Sequence, residues 1–180
     1  MNKKQYRMMI VLFLIIIIIL LIYSNIEKIK RSEKSIFLEE YKFRLTLPEG
    51  WKEVDDTQFD LQLTSGRAYV SVFVYFKNEL AELQIPLDVQ EQHLKDLFSK
   101  REYVEKITEE NIIELTDKVI YSVLYSAEYN GVENYYYCNL VDFKGEADIF
   151  AWILVSALPS YFTENNDIWS EIIETVKWEK

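Results

Sequence analysis

Cysteine and histidine are almost absent from this chain of 180 residues, which holds one of each, Cys138 and His93. A single cysteine excludes a disulfide within the chain, and one cysteine with one histidine cannot supply the four ligands of a structural zinc site. The same scarcity argues strongly against Ser-His-Asp and Cys-His catalytic arrangements. Both residue types are therefore expected to have structural roles.

Glycine and proline are also rare, with four and three residues in the chain. The sequence lacks the phosphate-binding Walker loop, the Gly-x-Gly-x-x-Gly dinucleotide fingerprint, the Gly-x-Ser-x-Gly nucleophile elbow and any Cys-x-x-Cys pair. We therefore expect no cofactor and assign no catalytic, cofactor-binding or metal-binding residue. The expected protein is not an enzyme.

Charge is distributed unevenly along the chain. Residues 1–38 carry seven Lys and Arg against two Glu, a net charge of +5. Residues 39–180 carry thirteen basic and twenty-eight acidic residues, a net charge of −15, so that the whole chain has −10. An acidic domain is repelled by phosphate backbones, which excludes nucleic acid as an expected partner and favours a basic protein.

The longest hydrophobic segment lies near the N-terminus, where residues 8–23 (MMIVLFLIIIIILLIY) carry no charge. Sixteen helical residues cover about 24 Å, and extension to Ile26 brings the span towards the roughly 30 Å of a bilayer core. We predict a transmembrane anchor at residues 8–26 that binds the lipid bilayer. A cleaved secretory signal is the alternative, although Ile22 is too large for the usual small-x-small cleavage pattern.

Basic residues flank the predicted anchor on both sides. Residues 1–7 form a short basic tail, which most often stays in the cytoplasm and would place the C-terminal domain outside a cell membrane crossed once. Residues 27–38 form a charged stalk whose cations also leave the reverse orientation open. These stalk cations are expected at lipid headgroups: Lys28, Lys30, Arg31 and Lys34.

Residues 39–180 have no linker rich in glycine, serine or proline and no internal repeat, so they are expected to form one acidic α+β domain. A strand at 41–47 runs into a turn at 48–51. Alternating residues predict strands at 57–64 and 68–76, joined by a two-residue turn at Gly66-Arg67. That register matches apolar residues across the hairpin: Leu63 with Val70 and Leu61 with Val72.

The middle of the domain predicts a helix and then two short strands. An apolar stripe favours a helix at 87–101 with Asp88 as its N-cap, and its last turns are basic. Strands are expected around Ile107 and at 112–115.

The C-terminal part predicts a three-stranded meander followed by a helix. Strands at 119–129 and 132–143 are joined by Asn130-Gly131, a strong hairpin signal that places Val123 opposite Cys138. The next strand, 148–158, is apolar on both faces and is therefore expected at the centre of a covered sheet. A helix within 160–176 and a short edge strand at 176–178 complete the chain. The sum is an α+β fold: an antiparallel sheet of six or seven strands sandwiched by helices, preceded by one N-terminal transmembrane helix.

Residues 41–51 (YKFRLTLPEGW) resemble the opening strand and Pro-x-Gly-Trp turn of the PsbP-like family, which includes photosystem II extrinsic proteins, a Ran-binding import factor and bacterial membrane-attached proteins. The predicted hairpin, helix, meander and closing helix follow in the family's order, so that the resemblance covers nearly all of 36–180. It implies the PsbP-like fold in a bacterial membrane-anchored member. It implies no reaction, because the family uses its scaffold mainly for binding. The metal-related and Ran-related roles do not carry over, because no matching site residues are present.

Two nucleophilic or titratable residues have structural interpretations. His93 lies on the predicted helix and is expected to be an ordinary surface or boundary residue, with a catalytic base as the weaker alternative. Cys138 lies on the apolar face of its strand, where a buried thiol behaves as a small hydrophobic group.

Clustered acids and tyrosines complete the set of candidates. Glu53, Asp55, Asp56 and Asp60 suggest a hard-cation site, but they lack the close alternation and turn glycine of calcium loops. A solvated loop is the preferred interpretation. Glu128 and Glu133 are expected to face each other across the Asn-Gly hairpin. Tyr135, Tyr136 and Tyr137 alternate between the two faces of their strand and so do not form one aromatic patch.

The function that these observations favour is a binding or accessory module. It is tethered outside the cell membrane and recognises a protein partner through an acidic surface. An immunity-type protein that neutralises a toxin at the membrane is the alternative. A carboxylate-dependent enzyme is a weaker one, which would require two paired acids in a cleft. The oligomeric state is left open.

Overall fold

The computed structural model describes residues 33–55, 58–80 and 86–179. The predicted tail, anchor and most of the stalk lie outside these residues. Among the helices that it describes, none is both long enough and apolar enough to cross a membrane.

The described residues form mainly antiparallel strands with a few helices. The strands are β1 (Glu33–Leu38), β2 (Phe43–Pro48), β3 (Lys52–Glu53), β4 (Leu61–Thr64), β5 (Ala68–Phe76), β6 (Glu102–Lys106), β7 (Asn111–Glu114), β8 (Lys118–Tyr129), β9 (Val132–Phe143), β10 (Ile149–Ala157) and β11 (Lys177–Trp178). The helices are a short 3₁₀ helix (Lys77–Leu80), α1 (Pro86–Phe98), α2 (Pro159–Glu164) and α3 (Asn166–Thr175).

The main sheet has eight strands in the order β3-β4-β5-β10-β9-β8-β6, with β7 also paired to β8. Both predicted hairpins are confirmed in register: Leu63 pairs with Val70, and Val123 pairs with Cys138. Asn130 and Gly131 have φ values of 52° and 76°, as a type I′ turn requires. β10 lies between β5 and β9 and is buried along nearly its whole length, which confirms its central position.

The predicted single sheet of six or seven strands was wrong, because a second sheet of three strands is present, in the order β1-β2-β11. Its β1 strand occupies residues 33–38, so that the predicted stalk at 27–38 overlaps the folded domain, and the expected boundary at residue 39 lies too late. Among the described strands β1 pairs only with β2, and an edge tolerates charged residues such as Glu33 and Lys34 on its exposed face. Ile36 and Leu38 face the core.

Two hydrophobic cores cover the two faces of the main sheet. On the first face, the small sheet and helices α2 and α3 enclose a large cluster around Phe43 and Trp169. On the second face, α1 packs over a smaller cluster around Cys138, Phe150 and Trp152. The sheet is therefore covered by helices on both faces, as predicted, but the three-stranded sheet adds to the cover on one of them.

Helix boundaries differ from the predicted ones at two places. The expected helix within 160–176 is divided at Asn165, whose side chain donates to the Tyr161 carbonyl at 2.8 Å and so competes with the helical pattern. The expected helix at 87–101 begins at Pro86 and ends at Phe98. Asp88 therefore lies in the first turn rather than at the N-cap, where its carboxylate favours the positive end of the helix dipole.

Candidate functional site

One exposed margin of the main sheet combines an unpaired strand edge with strong negative charge. Residues 102–114, here called the acidic edge, comprise β6, β7 and the link between them. β6 and β7 lie end to end along β8, and in the described part of the chain neither has a strand on its outer side. Their outward backbone N–H and C=O groups are therefore available to a further strand.

The acidic edge is held firmly against β8 at its central bend. The N–H groups of Ile107 and Thr108 both donate to the Leu124 carbonyl, at 2.8 and 3.3 Å. The Thr108 hydroxyl oxygen accepts a bond from the Leu124 N–H at 3.1 Å. The register with β8 shifts within β6, where Tyr103 has a φ of 50°. A bulge of this kind twists an edge and turns a side chain outward.

Glutamate is the commonest residue of the acidic edge. Five glutamates accompany the single cation Lys106. The Lys106 ammonium lies 3.2 Å from Glu109 and 3.8 Å from Glu110. The hydrogen bond to Glu109 and the two nearby charges raise the pKa of Lys106. The other three glutamates form no ion pair with any residue between 33 and 179 that the structure describes: Glu102, Glu105 and Glu114.

Negative charge continues from the acidic edge into the main sheet. Glu102 lies opposite Glu128 on β8, and Glu128 lies opposite Glu133 on β9. The predicted pairing of Glu128 with Glu133 is confirmed, and the Ser126 hydroxyl donates to Glu133 at 2.7 Å. Like charges that face each other across strands destabilise the sheet mildly. A bound cationic group would relieve that repulsion.

Apolar side chains lie among these glutamates. Tyr103 is 77% exposed and Ile112 is 58% exposed, and Val104 and Ile107 are also exposed. An isolated exposed apolar residue is ordinary, whereas several on one unpaired edge are typical of an interaction surface. The acidic edge can thus offer backbone hydrogen bonds, apolar contacts and charge to one extended partner.

His93 is half-buried at the boundary between α1 and the main sheet, which fits the expected boundary position. Its ring stacks on Trp152, with centroids 4.5 Å apart, and on Phe73 at 5.0 Å. The Tyr75 hydroxyl lies 2.7 Å from His93 Nε2. Burial lowers the pKa of His93 to about 4, against the opposing charge of Asp96. The imidazole is therefore neutral at pH 7 and belongs to the packing between α1 and the main sheet.

Tyr75 is a neutral phenol in this contact. Burial, followed by the charges of Asp60 and Asp96, raises the pKa of Tyr75 to about 12, so that the phenol keeps its proton. A neutral phenol can donate or accept, so that the contact with Nε2 is compatible with either tautomer of the neutral His93 ring.

Cys138 is fully buried on the second face of the main sheet, as its place in the strand pattern predicted. Its thiol lies 3.7 Å from the Tyr136 carbonyl, and burial raises its pKa. A thiol that remains protonated and enclosed is a poor nucleophile.

The acids that suggested a cation site do not converge as metal ligands in the described part of the chain. Asp60 accepts hydrogen bonds from the Val74 N–H at 2.7 Å and the Tyr41 hydroxyl at 3.2 Å. Glu53 and Asp55 line an open depression beside Asp60, and Asp56 lies outside the described residues. Within those residues, no three His, Cys, Asp or Glu side chains converge on a point that could hold a metal ion.

The three consecutive tyrosines alternate between the faces of the main sheet, as predicted. Tyr135 and Tyr137 pack against Phe162 on the first face, at 5.7 and 6.1 Å between ring centroids. Tyr136 is buried on the second face beside Phe98. Of the four stalk cations, Lys34 lies in β1, and the other three precede the described residues.

Comparison with known proteins shows the fold of this chain. No protein-family model matches it, and no curated protein matches it. Among solved structures, PsbP (CyanoP) from Synechocystis sp. PCC 6803 aligns with a TM-score of 0.64 at 13% identity, covering 83% of this chain and 94% of that one. The expected PsbP-like fold is therefore confirmed.

Two further structures share this fold. LpqN of Mycobacterium tuberculosis, described as involved in cell envelope biogenesis, aligns with a TM-score of 0.57 at 11% identity and covers 81% of this chain and 90% of that one. The Saccharomyces cerevisiae Ran-binding protein Mog1p aligns with a TM-score of 0.56 at 10% identity and covers 83% and 96%. At these identities the likeness establishes architecture and leaves the chemistry of each surface to its own residues.

Proposed function

We propose that this chain is a membrane-tethered, non-enzymatic binding module that recognises a basic protein partner through the acidic edge. Residues 8–26 attach it to the bilayer, and its folded domain lies outside the cell membrane. The observation that carries the proposal is the unpaired edge formed by β6 and β7, with exposed apolar residues among five glutamates. The description of Mog1p as Ran-binding supports a protein partner for this architecture.

The proposed partner segment is an extended strand that carries Lys or Arg. It would add to the main sheet beside β6 and β7 through backbone hydrogen bonds, while alternate side chains meet Ile112 and the glutamates. Glu102, Glu105 and Glu114 have no cation beside them among the described residues, so each can pair with the partner. The net negative charge of the edge also accelerates association with a basic partner.

The same glutamates disfavour self-association, in which the acidic edge of a second copy of this chain would pair with the first. Two acidic edges that pair with each other would bring like charges together across the new strand pair. Charged residues on an edge strand are a recognised protection against self-association. A basic strand is attracted electrostatically to this edge, whereas a second copy of the chain is repelled. The charge pattern therefore favours the basic partner over self-association.

Peptide titration tests this surface. The full chain, held in zwitterionic micelles, is titrated with a fluorescent peptide of about ten residues that alternates Lys and Val, and binding is followed by anisotropy. We expect binding that weakens as salt rises from about 50 to 500 mM, because screening removes the charge contribution. Hydrogen exchange should slow at the outward amides of β6 and β7.

Matched charge variants locate the binding surface. The peptide affinity should fall by about tenfold or more in a triple variant that carries Glu102→Lys, Glu105→Lys and Glu114→Lys. The control is Glu40→Lys, Glu91→Lys and Glu174→Lys, which changes net charge equally at exposed positions elsewhere. Equal losses in both triple variants would mean that the peptide senses only overall charge, and the acidic edge would not be the site.

Membrane orientation is tested separately from binding. A reporter active only outside the cytoplasm, fused after Lys180, is expected to be active, because the short basic tail at 1–7 favours the cytoplasm. The matched control is a fusion to a reporter that is active only inside the cytoplasm, and this reporter should be inactive. The reverse pattern would overturn the proposed location and leave the peptide result standing.

A further inference from the structure

A cleft at the end of the main sheet lies apart from the acidic edge and has a different chemistry. It is formed where the β4–β5 turn, the end of β10 and helix α2 meet, and its volume is about 530 Å³. That volume lies within the roughly 300–1,000 Å³ of small-molecule pockets. Its principal side chains are Arg67, Tyr69, Ser156, Leu158, Tyr161 and Glu164.

The base of the cleft is fixed by the strand register. Tyr69 of β5 lies directly opposite Ser156 of β10, which places both side chains on one face of the main sheet. Tyr69 is 47% exposed in spite of its place beside the central strand. An aromatic side chain left open at this position provides a flat apolar surface with a hydroxyl at its end.

Arg67 is held in place by the turn that precedes it. Gly66 has a φ of 83°, its N–H donates to the Thr64 hydroxyl at 2.9 Å, and that hydroxyl donates to the Ala68 carbonyl at 3.0 Å. The Arg67 guanidinium carbon lies 5.7 Å from the centre of the Tyr161 ring. Stacking on an aromatic face orients a guanidinium and leaves its N–H donors at the rim for a ligand.

The charges of the cleft balance each other without pairing. Arg67 and Glu164 both line it, and no ion pair joins these two described residues. In a domain with a net charge of −15, a locally neutral cleft suits an uncharged ligand. The guanidinium supplies donors, the carboxylate supplies acceptors, and the Ser156 hydroxyl supplies both.

A ligand that fits this arrangement has an apolar face and polar groups that both donate and accept. A saccharide ring meets both requirements, because its axial C–H groups pack on an aromatic face while its hydroxyls point outward. An acetamido substituent adds an N–H for Glu164, a carbonyl for Arg67 and a methyl group for Leu158, which is 47% exposed. An extended peptide fits less well, since β5, β10 and β9 are already paired here and offer no free edge.

We infer that this cleft binds an N-acetylated hexosamine unit of a neutral saccharide. Tyr69 stacks on the sugar ring, and Arg67 and Glu164 hold the acetamido group. The inference does not depend on the acidic edge, because the two surfaces share no residue.

Saturation-transfer NMR with diacetylchitobiose on the full chain tests the site. The chain is held in zwitterionic micelles, because glycosidic detergents present sugars of their own. We expect transfer to the ring and acetamido methyl protons, and weaker transfer to cellobiose, which has no acetamido group. Tyr69→Ala should lower the affinity for diacetylchitobiose by about tenfold. Glu164→Gln should lower that affinity while leaving the affinity for cellobiose unchanged.

A matched surface variant and an anion control complete the test. Tyr103→Ala removes a tyrosine that is 77% exposed on the acidic edge, and it should leave saccharide binding unchanged. Circular dichroism confirms that each variant remains folded. Absent transfer, or transfer that persists in Tyr69→Ala, would overturn the inference. Binding of inorganic phosphate that depends on Arg67, without diacetylchitobiose binding, would overturn it in favour of an anion site.

Discussion

Replacing Trp169 with alanine is expected to lower the free energy of unfolding by about 3–5 kcal/mol. The side chain is 1% exposed and lies where α3 meets the first face of the main sheet. It stacks on Phe162 with ring centroids 5.7 Å apart and meets Trp51 edge-on at 6.4 Å. Alanine would leave a cavity that the packed rings around it cannot close.

The measurement is urea unfolding of the full chain in zwitterionic micelles, followed by near-ultraviolet circular dichroism. An unchanged slope with a lower midpoint would show that stability changed and the unfolded state did not. A loss below about 1 kcal/mol would contradict the enclosed position of Trp169, because exposed substitutions fall in that range.

Phenylalanine variants of two tryptophans separate packing from hydrogen bonding. The Trp169 indole N–H donates to the Phe162 carbonyl at 2.8 Å, whereas Trp152 Nε1 is buried without a hydrogen-bond partner among the described residues. Trp169→Phe should therefore lower the free energy of unfolding more than Trp152→Phe does. The expected difference is roughly 1 kcal/mol, the net contribution of one hydrogen bond. Equal costs would mean that the indole N–H of Trp169 contributes nothing to stability.

Local sequence signals were sufficient for the hairpins because each register is decided by neighbouring residues. Asn130 and Gly131 supply the positive φ of their turn, and a shift of one residue would bury the polar face. The small sheet could not be predicted in the same way. Its β11 strand pairs Trp178 with Phe43, so that its two partners lie at opposite ends of the domain sequence.

The candidate site shows the same limit. A charged segment such as 102–114, with scattered apolar residues, is ordinarily interpreted as a solvated surface, and the sequence alone does not distinguish it from a binding edge. The pairing of Glu102 with Glu128 appears only when β6 is placed beside β8. The enclosure of His93 likewise depends on Phe73 and Trp152, which come from two different strands of the main sheet.

Acidification is expected to destabilise the domain by about 3 kcal/mol through His93 alone. Its pKa is about 4 in the folded state, against the ordinary 6.5 of an exposed imidazole. Burial against the main sheet causes the shift, and the charge of Asp96 opposes it.

The sign of the effect follows from proton uptake. Between pH 6.5 and 4 the unfolded chain binds a proton at His93 that the folded chain does not bind, so stability falls as the pH falls through that range. Above pH 6.5 the imidazole is neutral in both states, and this contribution is constant. Below pH 4 both states are protonated and the full loss is present.

The test compares urea unfolding of the full chain and of His93→Gln at several pH values between about 7 and 4. Glutamine keeps a hydrogen-bonding side chain for Tyr75 but does not titrate, so the difference between the two pH profiles isolates the imidazole. Carboxylates such as Glu179, whose pKa Arg44 lowers, contribute to both profiles and cancel.

Because His93 is the only histidine in the chain, its imidazole resonances can be followed by NMR without ambiguity. A titration midpoint near 4 is expected, together with a steeper loss of stability in the parent chain than in the glutamine variant. A midpoint near 6.5, or parallel stability profiles, would show that the ring is solvated and that α1 does not enclose it.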